Sequence, residues 1–139
     1  MKPPEIVLTH EDFRAICTLL ADPPISIPRT AERLDEEIAR ARLVPSSAVG
    51  SDVVTMNTRV IVEELTSNVR RIVTVVYPDE ADREEGRVSV LSPLGSALIG
   101  LRVGQTIEWS TAGRAPSRYR VGAILYQPEA AETRAAGIP

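Results

Sequence analysis

The stretch SPLGSALIGLRVG, residues 92–104, decides the fold because it describes one short helix between two β-strands. Ser92 can cap the helix with its hydroxyl, Pro93 suits the first helical position, and Gly100 can adopt the left-handed conformation that ends a helix. On both sides of the stretch, apolar and polar residues alternate as they do in strands. We therefore predict an antiparallel sheet with one helix, at about residues 93–99, on one face.

The composition indicates a globular protein without bulk attraction to nucleic acid. The chain has 139 residues, of which 43% are hydrophobic, and this is enough for a core in one or two small domains. Its net charge of -3 provides no overall attraction to phosphate, so direct specific binding of nucleic acid is not expected.

The N-terminus and the cysteine content predict a cytoplasmic protein. The first residues turn acidic too early for a signal peptide, and no apolar run approaches the length of a membrane span. The single cysteine, Cys17, excludes an internal disulfide and fits a reducing compartment. No membrane association is expected.

Two amphipathic helices are predicted in residues 1–49, at about residues 10–21 and 30–43. Thr9 and Thr30 stand at the capping positions, and a proline-rich loop separates the two helices. Glu36 and Arg40 have the spacing of a helical ion pair. Helices of similar length with a short connection favour an antiparallel hairpin. The apolar stripes consist of Phe13, Ile16, Cys17 and Leu20 in the first helix and Ala31, Leu34, Ile38 and Ala41 in the second.

After residue 50 the apolar residues recur at every second position, which is the spacing of β-strands. This change predicts a separate β-rich domain over residues 50–139. The branched residues of 69–77 predict a central, well-buried strand. The acidic residues of 79–85 predict a solvated loop, and the chain after residue 127 is predicted to be a frayed tail. The predicted strands are 53–56, 59–65, 69–77, 88–91, 106–110 and 119–125.

Residues that could carry catalysis are few, and none forms a recognisable group. His10 lies at a helix start, where an exposed side chain is the usual finding, and Cys17 belongs to an apolar stripe. Glu63 and Glu64 are adjacent in a strand and therefore point to opposite faces. One Cys and one His cannot make a zinc site, and no glycine-rich loop has phosphate-binding spacing. We predict no enzyme, no metal and no cofactor.

Three further stretches carry a resemblance to a known family: VVTMNTRVIVEEL at 53–65, YPDEADREEGRVSVLSPLGSALIGLRVGQTIEW at 77–109, and YRVGAILYQPEA at 119–130. Together with the helical hairpin they closely resemble the Rnk family, the regulators of nucleoside diphosphate kinase, which are relatives of the transcript-cleavage factors GreA and GreB. The resemblance implies an α+β fold in which a shortened coiled coil precedes an FKBP-like domain.

The resemblance also implies a partner, RNA polymerase, bound at the rim of its secondary channel. Gre factors dock there through an Asp-Ser-Pro sequence at the start of the short helix. The matching residues here are Leu91, Ser92 and Pro93, followed by Leu94. The Ser-Pro pair is kept, and a leucine replaces the acid.

Cleavage activity is not expected from the same resemblance. Gre factors carry acidic residues at the tip of a longer coiled coil, where they help to hold a second Mg²⁺ in the polymerase active centre. Such a task needs paired oxygen ligands, and the loop of residues 21–29 contains a single acidic residue, Asp22. The protein is therefore interpreted as a regulator that competes with Gre factors for their site.

Two other functions stay open at this point. An FKBP-type prolyl isomerase would need an aromatic pocket, and the β-rich part offers only Trp109 and three tyrosines, Tyr77, Tyr119 and Tyr126, with Phe13 outside it. A plain interaction module that acts on nucleoside diphosphate kinase, directly or indirectly, is the other alternative.

Overall fold

A computed structural model describes residues 4–21, 28–109 and 115–135 of the chain. The fold is mixed α+β, and this much of the sequence prediction is confirmed, but the main sheet has five strands where the sequence predicted six. The helices are α1 His10–Ala21, α2 Pro28–Ala39, α3 Pro93–Leu98 and α4 Pro128–Ala135. The strands are β1 Val7–Thr9, β2 Arg42–Val44, β3 Arg59–Glu64, β4 Val69–Val76, β5 Arg87–Ser89, β6 Thr106–Trp109 and β7 Ser117–Tyr126.

The main sheet has the order β5-β4-β3-β7-β6, and β5 runs parallel to β4. The expectation of a fully antiparallel sheet is therefore wrong at this edge. After β4 the chain folds back through two short 3-10 turns, Pro78–Glu80 and Arg83–Glu85, and so enters β5 in the same direction. The central strand is β3, whereas the sequence favoured the more apolar β4.

One face of the sheet is covered and the other is open. Val60, Val62, Val73 and Val75 are buried on the covered face, where α3 contacts β4, β5 and β6. On the open face Ile72 is 50% exposed, so the expectation that all of 69–77 is well buried is wrong. Apolar runs predict burial on both faces only when a second layer covers the strand.

The predicted strand at 53–56 is not formed, although its side chains are buried. Val53 makes only an isolated bridge with Arg102. The Val54 N–H donates to the Leu101 carbonyl at 2.8 Å, and the Val54 carbonyl accepts from the Gly100 N–H at 2.8 Å. The segment thus pairs with the turn after α3 instead of extending the sheet.

Helix α1 has the predicted bounds because its cap is local. The Thr9 hydroxyl accepts a hydrogen bond from the Asp12 N–H at 3.0 Å. Ile16 is fully buried, and Phe13, Cys17 and Leu20 pack against the core beside it.

Helix α2 differs from its prediction at both ends. It begins at Pro28, which suits a first helical position, so Thr30 lies inside the helix, and it ends at Ala39. Arg40 pairs with Glu37 rather than with Glu36.

Strands β1 and β2, which the sequence did not predict, join the two ends of the helical part in a short parallel pair. The Arg42 N–H donates to the Ile6 carbonyl at 2.9 Å, and the Val7 N–H donates to the Gly100 carbonyl at 2.9 Å. The base of the helical part is therefore tied to the turn after α3.

The buried core runs without interruption across residue 50. Ile16, Leu34 and Ile38 of the helical part lie in the same cluster as Val54 and Leu98. The division into residues 1–49 and 50–139 stays a prediction, and the two parts share one core.

The segment after Gln127 forms α4 instead of a frayed tail. The Gln127 amide donates to the carbonyls of Gly50 at 2.8 Å and Val53 at 2.9 Å. The Thr55 hydroxyl donates to Glu129 Oε1 at 2.7 Å. These long-range bonds hold a helix whose own sequence is only weakly amphipathic.

Candidate partner-docking site

The start of α3 is fixed by hydrogen bonds centred on Ser92. Its hydroxyl accepts from the Gly95 N–H at 3.1 Å and donates to the Ser89 carbonyl at 2.6 Å. Pro93 occupies the first helical position. The predicted cap is thus confirmed, and the same hydroxyl ties the helix to the end of β5.

Two glycines set the position of α3. A Cβ on Gly95 would lie 2.0 Å from the carbonyl oxygen of Ser89, so only glycine allows the helix to lie so close to the chain leaving β5. Gly100 has a φ of 82°, which confirms the left-handed ending predicted from the sequence.

The residues singled out for docking divide between surface and core. Ser92, Pro93 and Leu94 are half-buried and adjacent, and they form the partly exposed start of α3, which we call the α3 knob. Leu91 is fully buried. Its side chain therefore anchors the knob from below and cannot itself touch a partner. Asp22, the residue predicted for the loop tip, lies outside the described residues.

The α3 knob carries no ionisable side chain, because no charged residue occurs between Leu91 and Leu101. Leu91, where the resemblance to Gre factors implies an acid, is a core contact. Recognition at this surface would depend on shape and apolar contact.

A buried cluster of polar groups from Asp12, Thr55, Thr58 and Glu129, which we call the buried acidic joint, connects the two parts of the chain. The sequence did not predict it. Asp12 on α1 is only 7% exposed, and its Oδ2 accepts from the Met56 N–H at 3.0 Å. Burial chiefly raises the pKa of Asp12 to about 6, and the charge of Glu129 adds to the effect. Burial and the charges of Asp12, Glu129 and Glu80 raise the pKa of Tyr77 to about 12.

The hydroxyls of Thr55 and Thr58 complete this joint at 2.8 Å from each other. The joint brings together α1, the segment after Val53 and α4, so its role is to hold these elements in register. No local pattern in the sequence shows the contact of Asp12 with Met56, 44 residues away.

Glu63 and Glu64 point to opposite faces, as predicted. Glu63 lies 3.0 Å from Arg120 and 4.0 Å from Arg70, and the hydrogen bond from Arg120 lowers the pKa of its carboxyl group. Glu64 lies 3.9 Å from Arg71. The two carboxylates therefore belong to separate surface ion pairs.

Tyr119 and Tyr126 lie on opposite faces of the sheet. On β7, Tyr119 pairs with buried Ile107, whereas Tyr126 pairs with Arg59 and is 51% exposed on the open face. This separation disfavours an aromatic site of the prolyl isomerase type. His10 is exposed, as expected.

Within the part of the chain that the structure describes, no group of three or more His, Cys, Asp or Glu side chains could hold a metal ion. The helices there are also too short or too polar for any of them to span a membrane.

Comparison with known proteins agrees with this architecture. Residues 49–126 match the family model for the C-terminal part of the transcription elongation factors GreA and GreB. A solved structure, the transcription elongation factor GreA/GreB from Nitrosomonas europaea, is 34% identical with a TM-score of 0.70 and covers 88% of this chain and 99% of its own. The fold and the family match together make this a protein of the GreA/GreB class.

The N-terminal part shows which family within the GreA/GreB class the chain belongs to. Residues 4–44 match the family model of the Rnk N-terminus. The regulator of nucleoside diphosphate kinase from Escherichia coli (strain K12) is 37% identical over 94% of this chain and 96% of its own length. GreA from Beijerinckia indica is 31% identical, and the match spans only 62% of its length. The chain belongs to the Rnk family of GreA/GreB homologues.

Proposed function

We propose that the protein is a regulator of transcription that binds RNA polymerase at the rim of its secondary channel. The observation that carries the proposal is the α3 knob, held rigidly at the surface of the part that matches the GreA/GreB C-terminal family. A rigid surface loses little conformational entropy on binding, which favours its use as a docking point. RNA polymerase acts in the cytoplasm, so the proposal places the protein there.

The proposal includes the finer description of the fold. The part after residue 50 is an FKBP-like domain, and α1 and α2, which contact each other, form a shortened antiparallel coiled coil. Each helix has 12 residues, which corresponds to about 18 Å. Such an arm blocks the channel entrance without reaching the active centre, so the protein competes with Gre factors for the site.

The first test replaces Pro93 with aspartate. Asp is acceptable in a first helical turn, so the fold is retained, but a charge enters the apolar α3 knob and must be desolvated on docking. We expect the affinity for core RNA polymerase to fall about tenfold or more, which corresponds to about 1.4 kcal/mol. Binding is measured together with the thermal unfolding midpoint.

Glu84→Ala is the control for this test, because Glu84 is an exposed residue away from α3. It should bind polymerase like the parent. If Pro93→Asp remains folded and also binds like the parent, the docking surface is not the α3 knob.

The second test concerns cleavage. A single carboxylate, Asp22, in the loop between α1 and α2 cannot replace a pair of Mg²⁺ ligands. We expect no shortening of the RNA 3′ end when the protein is added to a backtracked transcription complex, while it slows cleavage by an added Gre factor. Mg²⁺-dependent cleavage by the protein alone would contradict the proposal.

An interaction with nucleoside diphosphate kinase is the second candidate, and one observation favours it. The relative from Escherichia coli carries the name of a regulator of that kinase. A pull-down with purified components separates the two candidates. Binding of the kinase in the absence of polymerase, by the parent and by Pro93→Asp alike, would favour the kinase.

A further inference from the structure

A polar cleft opens on the uncovered side of the sheet, away from the α3 knob. Its volume is about 530 Å³, which lies in the range of small-molecule sites. The 3-10 turn Arg83–Glu85 and the start of β5 form one wall, and β3 and β4 form the floor. Its lining consists of Arg59, Ile72, Thr74, Arg83, Glu84, Glu85, Gly86 and Arg87.

Three arginines, Arg59, Arg83 and Arg87, line the cleft. Within residues 4–21, 28–109 and 115–135, none of these three guanidinium groups forms an ion pair or a side-chain hydrogen bond. Three arginines of the sheet outside the cleft, Arg70, Arg71 and Arg120, each lie near a glutamate. The cleft therefore offers three guanidinium groups whose N–H donors are available to an anionic ligand.

The wall of the cleft has a fixed backbone. Asp82 and Arg87 exchange two backbone hydrogen bonds at 3.0 and 2.9 Å, and the Asp82 carboxylate accepts from the Glu84 N–H at 3.1 Å. The Gly86 carbonyl accepts from the Thr74 N–H at 2.8 Å, which ties the wall to β4. Gly86 has a φ of 71°, a conformation that glycine adopts without strain. A cleft with this backbone is formed before any ligand binds.

The lining is mixed, and this restricts the ligand. Guanidinium groups bind phosphate oxygens through paired hydrogen bonds, whereas Glu84 and Glu85 repel a plain polyanion and accept from hydroxyl or amino groups. Ile72, half exposed on the floor, offers an apolar contact. A ligand that combines phosphates, hydroxyl and amino donors and a flat apolar ring system satisfies all of these groups.

We propose that this cleft, lined by Arg59, Arg83 and Arg87 with Glu84 and Glu85, binds a nucleoside polyphosphate. The phosphates contact the arginines, the ribose or base donors contact the carboxylates, and the base lies against Ile72. The site is distinct from the α3 knob, although β5 connects the two: Arg87 begins this strand, and Ser89 at its end accepts from Ser92.

The experiment is isothermal titration calorimetry of the full chain with GDP, ADP, inorganic pyrophosphate and the free nucleosides. We expect a nucleoside diphosphate to bind with a Kd below about 1 mM, and pyrophosphate and nucleosides at least tenfold more weakly. Arg83→Ala/Arg87→Ala should weaken nucleotide binding at least tenfold. Arg59→Ala, a change on a different strand, should weaken nucleotide binding at least threefold. This variant tests the proposal even if the double variant is unstable.

Arg71→Ala is the matched control, because Arg71 is an exposed arginine of β4 that shares the face of Val62, opposite the cleft. It should change the nucleotide affinity less than twofold. Pyrophosphate binding as tight as nucleotide binding, loss of affinity in Arg71→Ala, or no nucleotide binding at 10 mM, roughly ten times the expected limit, would each overturn the proposal. Polymerase affinity is measured on the same variants and should not change, so a failure here is distinguishable from a failure of docking.

Discussion

Replacing Gly95 with alanine is expected to lower the free energy of unfolding by about 3 kcal/mol, the upper part of the usual range for overpacking. The new Cβ would lie 2.0 Å from the Ser89 carbonyl oxygen, which is a backbone atom and cannot move aside by rotation of a side chain. Helix α3 must then move away from the end of β5, which breaks the hydrogen bond between Ser92 and Ser89. Chemical denaturation measures the loss.

The matched control is Gly50→Ala. There the new Cβ would lie 2.5 Å from Oδ1 of Asp52, which is the end of an exposed, flexible side chain. We expect a change of less than about 0.5 kcal/mol, or a small gain because alanine reduces the entropy of the unfolded chain. Equal effects of the two substitutions would show that α3 is not fixed by its contact with β5.

The buried acidic joint predicts an unusual dependence of stability on pH. The pKa of Asp12 is about 6 in the folded protein and 3.8 without the fold, so the folded state binds the proton more strongly. Its contribution to stability is fully present below pH 3.8 and is lost as the pH rises through about 6. The shift corresponds to a change of about 3 kcal/mol across this window.

Asp12→Asn isolates this contribution. Asparagine keeps an oxygen that can accept from the Met56 N–H, but it cannot titrate, so the gain in stability as the pH falls from about 6 to 3.8 should disappear. Unfolding free energies of parent and variant are compared at each pH. The difference removes the opposite trend of groups such as Glu63, whose carboxyl pKa is lowered.

Glu11→Gln is the control for the pH experiment, because Glu11 neighbours Asp12 but is exposed. It should retain most of the parent's pH dependence, since the charge of Glu11 is the smallest of the causes that raise the pKa of Asp12. If Asp12→Asn also retains it, the buried carboxyl group of Asp12 is not the group that links stability to pH in this range.

The sequence predicted those elements whose ends are decided locally. Helices α1 and α3 begin at a serine or threonine cap and stop at residues that cannot continue them, so α1 was placed correctly and α3 to within one residue. The strands β3, β4 and β7 were predicted because their apolar residues follow the spacing of a β-strand. In each case the pattern that predicts the element lies within a few neighbouring residues of the sequence.

The features that were missed depend on contacts between distant residues. Helix α4 is held by bonds from Thr55 to Glu129 and from Gln127 to Gly50, which join residues more than seventy positions apart. The pairing of β1 with β2 and the parallel direction of β5 are likewise set by tertiary folding. At the candidate site, the Ser92 cap was predictable from its neighbours, whereas the burial of Leu91 was not, since it depends on what covers the residue.

The shared core has a consequence for dissecting the protein by truncation. If the chain were cut near residue 50, Ile16 and Leu34 on one fragment and Val54 and Leu98 on the other would each lose their neighbours and face water. A fragment containing only the GreA/GreB-like part would therefore be prone to aggregate. Its failure to bind a partner would report on exposed apolar surface, and point substitutions in the intact chain are the sound way to locate the binding site.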